Sequence, residues 1–402
     1  MELTMRQRQA VTRRLAQEYQ KAHKKRKGQI LDTLVQLTGY QRSYAARVLR
    51  QALHPRPPRP GKRRRSVIYD REVFRALAQI WVICDGICGK RLAPYLPEII
   101  PVLERCGELS LTSEVRQKLL QISAATIDRL LAPVRQRYQL RPRTTTKPGT
   151  LLKHQIPIRT FSDWDEARPG FVEVDLVSHD GGIPGPDVIQ TLDLTDVASG
   201  WTETQAVQNK AQVWVFAALQ QIQARLPFKL LGLDSDNGSE FINDQLRRFC
   251  QEQKITFTRS RPYRKNDSCF VEQKNYSVVR RAVGYARYDR SEELQVLNEL
   301  YSYLRLYTNY FQPVMKLVEK KRVGSRVQKR YDRAKTPYQR LRESPQLEEA
   351  AKRRLEAEYA QLNPAELQRQ LERLAGRLSE LGRHKRAVRA PEERRDLEYI
   401  FS

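Results

Sequence analysis

At about Phe161 the hydrophobic pattern of the chain changes period, and this switch restricts its architecture more than any other feature. Three short runs follow: Phe171 to Val177 (FVEVDLV), Val188 to Leu194 (VIQTLDL) and Trp201 to Val207, joined by Gly- and Pro-containing turns. Short apolar runs of this kind, bounded by turn residues, read as strands. An amphipathic segment from Ala211 to Leu226 opens an alternation of helix and strand. It continues with a strand at Lys229 to Asp234, a helix at Ser239 to Gln251, a strand at Ile255 to Thr258 and a helix from about Phe270. Three strands followed by alternating helix and strand specify an α/β unit, a mixed five-stranded sheet covered by helices, over residues 163–290.

The flanking segments are helical, so the chain is multidomain. Residues 1–53 have helical periodicity broken at Thr38-Gly39, the layout of an all-α helix-turn-helix unit. Gln41, Arg42, Ser43, Tyr44 and Arg47 would then face base edges and phosphates in a major groove; the alternative is a plain helical hairpin. Residues 54–66 hold HPRPPRPGKRRR, an extended linker in which Arg63 and Arg64 either track phosphates or form part of a solvated spacer. Residues 67–138 form a second helical segment, expected to bind DNA, in which Ser123 opens a helix running to Val134. Residues 139–162 are a basic, proline-bearing linker. Beyond the sheet, residues 291–345 are expected as a helical basic extension and 346–402 as a helical or coiled-coil tail. There Leu367, Leu371, Leu374, Leu378 and Leu381 recur at steps of 4, 3, 4 and 3, a seam that serves either intrachain packing or self-association.

Charge narrows the partner. The chain carries 73 Lys and Arg against 46 Asp and Glu, a net +27 that suits a polyanion. These residues are spread along the whole chain instead of on one amphipathic anchor, which favours nucleic acid over a membrane surface. No run of about 18 apolar residues occurs, and Met1 to Gln9 is polar, so neither a membrane span nor a secretory signal is expected. The five cysteines are irregularly spaced and odd in number, which argues for reduced thiols.

Asp175 lies inside an otherwise apolar strand, where an unpartnered carboxylate would be costly. Asp236 follows another apolar strand in LDSDNGSEF, where Asn237 and Gly238 permit a sharp turn into the next helix. Glu272 opens a helix after a basic, polar loop. Carboxylates on two strand ends and one helix can converge on one sheet edge, as hard oxygen ligands for Mg²⁺ or Mn²⁺. Two such ions stabilise both the attacking and the leaving oxygen of an in-line phosphoryl displacement. Asp193, Asp196 and Asp234 are nearby carboxylates outside this set. Arg264, Lys265, Arg280 and Arg281 flank it as phosphate contacts or as solvated charges.

These residues resemble the integrase-core, or DDE, transposases of bacterial insertion sequences, whose catalytic domain is retroviral-integrase-like with the ribonuclease-H-like fold. The resemblance rests on Asp175, on Ser235-Asp-Asn-Gly-Ser-Glu-Phe241, and on Arg261-Pro-Tyr-Arg-Lys-Asn-Asp-Ser-Cys-Phe-Val-Glu272-Gln-Lys-Asn275. Thirty-five residues separate Asp236 from Glu272, the spacing of that branch, and Asn275 falls where it often has an asparagine. The sequence departs from the family in Ser268-Cys269-Phe270, where many relatives carry glycine, and in Tyr276, where a basic residue is common. The resemblance implies two-metal DNA cleavage and strand transfer with Asp175, Asp236 and Glu272 as catalytic and metal-binding residues. It also implies Asn275 among the DNA contacts, terminal repeats and target duplex as substrates, a homo-oligomer assembled on DNA, and a cytoplasmic, nucleoid-associated location. The competing functions are a DNA-binding regulator without catalysis and a nuclease of the same fold without strand transfer.

Overall fold

The computed structural model describes residues 3–53, 68–135, 168–235, 238, 240, 241, 243–259, 269–323 and 325–398. They divide into two compact units, Met1–Val67 and Ile68–Ser402.

The first unit is three helices, α1 (Met5–Lys21), α2 (Lys24–Thr38) and α3 (Arg42–Ala52). Thr4 starts α1 with a reciprocal capping box to Gln7, which satisfies two amide groups that the first turn would otherwise orphan. Gly39 ends α2 at φ 71°, a left-handed position glycine adopts without strain, and its amide donates back to the Val35 carbonyl. The chain thereby turns within three residues into α3. Ala16, Ile30, Leu34, Ala45 and Leu49 form the small core. One face of α3 stays outside it: Gln41, Arg42, Ser43, Tyr44 and Arg47 are all exposed.

The second unit begins with α4 (Arg71–Ile83), α5 (Gly89–Arg105), α6 (Ser113–Gln121) and α7 (Ala124–Arg135). Asp70 caps α4 by accepting from the amides of Glu72 and Val73. Pro94, Pro97 and Pro101 lie inside α5, where each removes an amide donor; the helix holds because Leu92, Tyr95, Leu96, Ile99, Ile100 and Leu103 bury its other face. The sheet follows as β1 (Phe171–Ser178), β2 (Gln190–Asp196), β3 (Thr202–Val207), α8 (Gln212–Arg225), β4 (Gly232–Ser235), α9 (Asp244–Glu252) and β5 (Thr256–Arg259). Its order is β3-β2-β1-β4-β5, with β2 antiparallel to its neighbours and β4 parallel to both β1 and β5. This is the mixed five-stranded sheet expected from the alternation, and it agrees with the ribonuclease-H-like fold that the resemblance implied. The second strand is shifted two residues from Val188 to Leu194, because Asp196 remains in the ladder and turns the chain by accepting from the Ser199 amide and hydroxyl.

One sheet face is apolar. Val174, Leu192 and Leu233 there meet Val215 and Leu219 of α8 around a small cavity that Phe241 and Leu246 complete. The other face lies under α10 (Cys269–Lys274), a π-helical stretch (Asn275–Arg280), α11 (Arg281–Val283) and α12 (Ser291–Phe311). Edge strand β3 does not end in solvent. Asn309 of α12 accepts from the Thr202 amide at 2.8 Å and donates to the Thr202 carbonyl at 2.8 Å. Asn298, three turns earlier in the helix, makes the same pair of contacts with Ala206. Two side-chain amides thus imitate a missing neighbouring strand.

After α12 come β6 (Leu317–Val323), β7 (Arg326–Tyr331), α13 (Pro337–Glu343), α14 (Glu349–Gln361) and α15 (Pro364–Glu398). The stretch 291–345, expected as a helical basic extension, therefore also contains an antiparallel hairpin. The β-branched Val318 and Val327 prevail over the helix-compatible lysines and arginines.

The helices before the sheet and those after it share its core. The Tyr307 hydroxyl donates to the Ile83 carbonyl at 2.6 Å, and Gln312 donates to that of Cys84. Val73 through Leu131 belong to the same hydrophobic cluster as the strands. The second helical segment, expected as a domain of its own, has no separate core. The leucine seam resolves the same way: Leu367, Leu371, Leu374 and Leu378 are buried in that cluster, on the helix that packs most extensively against α12. The seam's exposed-dimer alternative fails because its apolar surface is already covered within one chain. Replacing the fully buried Leu374 with Ala should destabilise the Ile68–Ser402 unit by about 2–5 kcal/mol in urea unfolding, with sedimentation unchanged. An altered oligomer at undiminished stability would return the seam to an intermolecular role.

Candidate active site

β1 lies in the middle of the sheet, with β2 on one side and β4 on the other. Strand alternation puts Glu173 and Asp175 on the same face, under α10. Buried Glu173 accepts from the backbone amides of Phe270 and Val271 through one oxygen, Oε2, at 2.9 and 3.0 Å. A carboxylate from the sheet therefore caps the first turn of α10, where amides are orphaned and the helix dipole favours negative charge. The next residue in that helix is Glu272, whose side chain is exposed.

Asp175 is half-buried. Its Oδ2 accepts from the Asn275 side-chain amide at 2.6 Å, and its Oδ1 accepts from the Leu176 amide at 2.8 Å. Asn275 is the first residue of the π-helical stretch that continues α10. The helix carrying Glu272 is thus tied to β1 at two points, once on each side of the glutamate. β4 runs parallel to β1 and ends at Ser235, the register partner of Val174. Asp236 lies outside the described residues, as do Arg63, Arg64, Arg264 and Lys265.

The neighbouring acids have other partners or settings. Asp234 is buried and accepts from the Thr258 hydroxyl of β5 at 2.6 Å. Asp196 binds the Gly170 amide and Ser199, which fastens the turn after β2 to the start of β1. Asp193 is the register partner of Asp175 and is fully buried, with neither carboxylate oxygen hydrogen-bonded. Burial pushes its pKa well up, against the pull of the Lys274 ammonium. Burial in turn lowers Lys274 to about 8, with the Asp193 charge opposing it.

Arg280 is committed locally. It donates to the Ser178 carbonyl at 2.6 Å and to that of Gly284 at 3.3 Å, and lies 4.9 Å from the Tyr285 ring centroid. Next to it His179 is fully buried, with Nε2 2.7 Å from the Thr191 hydroxyl, which in turn meets the Tyr301 hydroxyl at 2.7 Å. Among the described residues no group of three metal-ligating side chains occurs. Asp175 and Glu272 nonetheless supply hard carboxylate oxygens from two elements fastened together, a donor chemistry that suits Mg²⁺ or Mn²⁺.

The sequence pattern did not single out Glu173. Its signal was available: it shares the parity of Asp175 in FVEVDLV, so both acids must lie on one sheet face. Asp193 and Lys274 gave no comparable signal, since their proximity depends on strand register and helix placement.

This chain is 43% identical over 329 residues to the uncharacterized protein y4rM of Sinorhizobium fredii, a match covering 82% of this chain and 93% of that one. The chain belongs to that protein's family. Residues 165–265 match the integrase core domain, so the sheet unit is a catalytic domain of the integrase and transposase type. The match takes in Asp175 and Asp236 and ends before Glu272. The BIV integrase catalytic core domain aligns at 18% identity and a TM-score of 0.29, covering 42% of this chain and 91% of that one. The HTLV-2 integrase catalytic core domain, a dimeric form in complex with magnesium, aligns at 15% identity and a TM-score of 0.27, covering 36% and 90%.

Two outcomes follow from this geometry. Glu173→Ala leaves the buried Val271 amide and the part-buried Phe270 amide without their acceptor, at a cost of about 1–3 kcal/mol. Hydrogen exchange at Phe270 and Val271 should accelerate accordingly, and unchanged protection there would show that the cap does not hold the helix. Burial lowers His179 from 6.5 to about 3. Its neutral form contributes stability in full above pH 6.5, and that contribution is lost as pH falls toward 3. In urea titrations across this window, His179→Gln should flatten the acid loss; an unaltered pH slope would assign it to other groups.

Proposed function

We propose that this chain is a DNA transposase that binds the ends of a mobile element, hydrolyses phosphodiester bonds to free 3′-OH ends and transfers those ends into target DNA. The attachment of the Glu272 helix to the Asp175 strand, through Asn275 and Glu173, is the observation that carries this function. Asp236, one peptide beyond the end of β4 at Ser235, is proposed as the third carboxylate. Held by Asp175, Asp236 and Glu272, two Mg²⁺ or Mn²⁺ ions would stabilise the attacking and leaving oxygens of an in-line displacement.

The chain's own residues prepare this site. Asn275 fixes the orientation of Asp175 before substrate arrives, and Glu173 fixes the first turn of α10, so little reorganisation remains for the reaction itself. Arg264 and Lys265 are proposed to meet the phosphates near the site. Arg280, held by two carbonyls, instead supports the local backbone. In the first unit the exposed face of α3, with Gln41, Arg42, Ser43, Tyr44 and Arg47, is proposed to read the element ends. Arg42 pairs with Asp32 of α2 and Arg47 lies 5.1 Å from the Tyr44 ring centroid, so both are oriented before any contact with DNA. Joining two ends into one target needs at least two protomers on DNA. No helix among the described residues is long and apolar enough to cross a membrane, and a cytoplasmic location on the prokaryotic nucleoid is proposed.

Asp175→Asn, Asp236→Asn and Glu272→Gln keep side-chain shape while removing the charge that holds cations. Each should lower cleavage and joining on the order of a thousandfold or more, with binding to element ends retained. Asp234→Asn keeps an oxygen acceptor for Thr258 and should remain active. An active Asp236→Asn beside a dead Asp234→Asn would overturn the assignment of the second carboxylate. Cleavage without joining would replace the transposase by a nuclease of the same fold.

A further inference from the structure

We propose that the β6–β7 hairpin is an arm that grips the sugar-phosphate backbone of duplex DNA beside the active site; the presence of DNA there rests on the transposase function proposed above. Three observations independent of the carboxylates lead to it.

The first is composition and exposure. From Leu317 to Tyr331 there are six Lys and Arg residues and a single acid, Glu319. Glu319 contacts Lys321 at 2.7 Å and Arg330 at 3.2 Å, while Arg322 and Lys329 are also exposed. Lys321, Arg322, Lys329 and Arg330 thus leave the ribbon with a cluster of exposed positive charge that a line of phosphates would neutralise.

The second is the lack of a core. A two-stranded ribbon is marginal by itself in water. Val318, Val327 and Tyr331 are each about half exposed, at 55%, 50% and 48%, so apolar packing does not hold the arm down. Its dimensions suit DNA, because a two-stranded ribbon fits a major groove and its lysines and arginines reach backbone on either side.

The third is a rigid neck. Val314 and Lys335 form an isolated bridge below the ribbon, and Asp332 accepts from both the Lys316 amide at 2.7 Å and the Arg340 guanidinium at 2.7 Å. The Lys316 ammonium donates to the carbonyls of Val197 and Ala198, both at 2.5 Å, and lies 5.9 Å from the Phe270 ring centroid. Phe270 is the residue whose amide Glu173 holds, in the same turn as Glu272. The arm is therefore anchored to the turn after β2 and to the first turn of the helix bearing the catalytic glutamate. DNA gripped by the arm would lie next to that helix, and phosphate contacts of this kind position a duplex without reading its sequence.

The test uses the full chain without divalent metal and a fluorescent duplex of random sequence, with affinity measured across a salt series. A quadruple variant, Lys321→Gln, Arg322→Gln, Lys329→Gln and Arg330→Gln, changes exposed side chains and leaves the neck intact. Each lost phosphate contact lowers the salt slope by about 0.9, so the variant's slope should fall by about 3–4 and its low-salt affinity by tenfold or more. A charge-preserving variant, Lys321→Arg with Lys329→Arg, should bind like the parent, and thermal melting of both should match it. An unchanged slope and affinity in the quadruple variant, with the parent binding DNA, would overturn the arm and leave the transposase function standing. A parent that binds no duplex would remove both. If the quadruple variant instead loses self-association in sedimentation at unchanged DNA affinity, the ribbon's occupant is a second copy of the chain and the proposal fails.

Discussion

Burying carboxylates in the middle of a sheet is the constraint on which the rest of this structure depends. An unsatisfied buried carboxylate is penalised by several kcal/mol, and β1 places two acids on one face. The chain answers by bringing a helix N-terminus to Glu173, whose one oxygen receives two backbone amides. This contact joins residues 97 and 98 positions apart, and the helix it captures is the one bearing Glu272. Satisfying a structural carboxylate and positioning a candidate catalytic one are therefore a single event. Removing the negative charge of Glu173 would disturb both, although Glu173 itself is buried.

The same economy extends outward through α12. Asn298 and Asn309 close the edge of β3, Tyr301 reaches the Thr191 and His179 pair, and Tyr307 holds the carbonyl of Ile83 in the preceding helices. α12 is covered in turn by α15, whose leucines Leu374 and Leu378 belong to the sheet's own hydrophobic cluster. The helices before and after the integrase core are thus walls of the catalytic unit, and their loss would expose the edge strand and the apolar side of α12. The first unit, by contrast, has a complete small core of its own.

The sheet was legible in the sequence because its strands are short, largely apolar runs between turn residues, and the order of strands and helices follows directly. Asp175 was legible for the same reason that it is unusual: a charged residue in FVEVDLV needs a partner. Glu173 was less legible because an acid alternating with valines looks like the solvent side of a half-buried strand, whereas here both faces of β1 are covered. Asn298 and Asn309 carry no pattern, since an asparagine on a long helix is ambiguous until the edge strand is known. The hairpin at Leu317–Tyr331 was hidden by lysines and arginines, which suit exposed helices and exposed ribbons equally. The leucine seam was correctly periodic, but period alone does not say whether the covering surface belongs to the same chain.

Asp193 shows how the site tolerates a third acid so close to Asp175. The two residues face each other across antiparallel strands, and two ionised carboxylates in such a pair would repel strongly in a poorly solvated interior. Burial drives Asp193 toward its protonated form, with the Asp175 charge acting in the same direction. Lys274 opposes that shift from two residues beyond Glu272, and its own ammonium is lowered by the same burial. Environment thus separates the acids by role: Asp193 lies fully enclosed beneath the site, while Asp175 and Glu272 keep contact with solvent. The two carboxylates proposed to hold cations are consequently the ones open to solvent, and Asp193, also a carboxylate on the same sheet face, is set apart from them by desolvation.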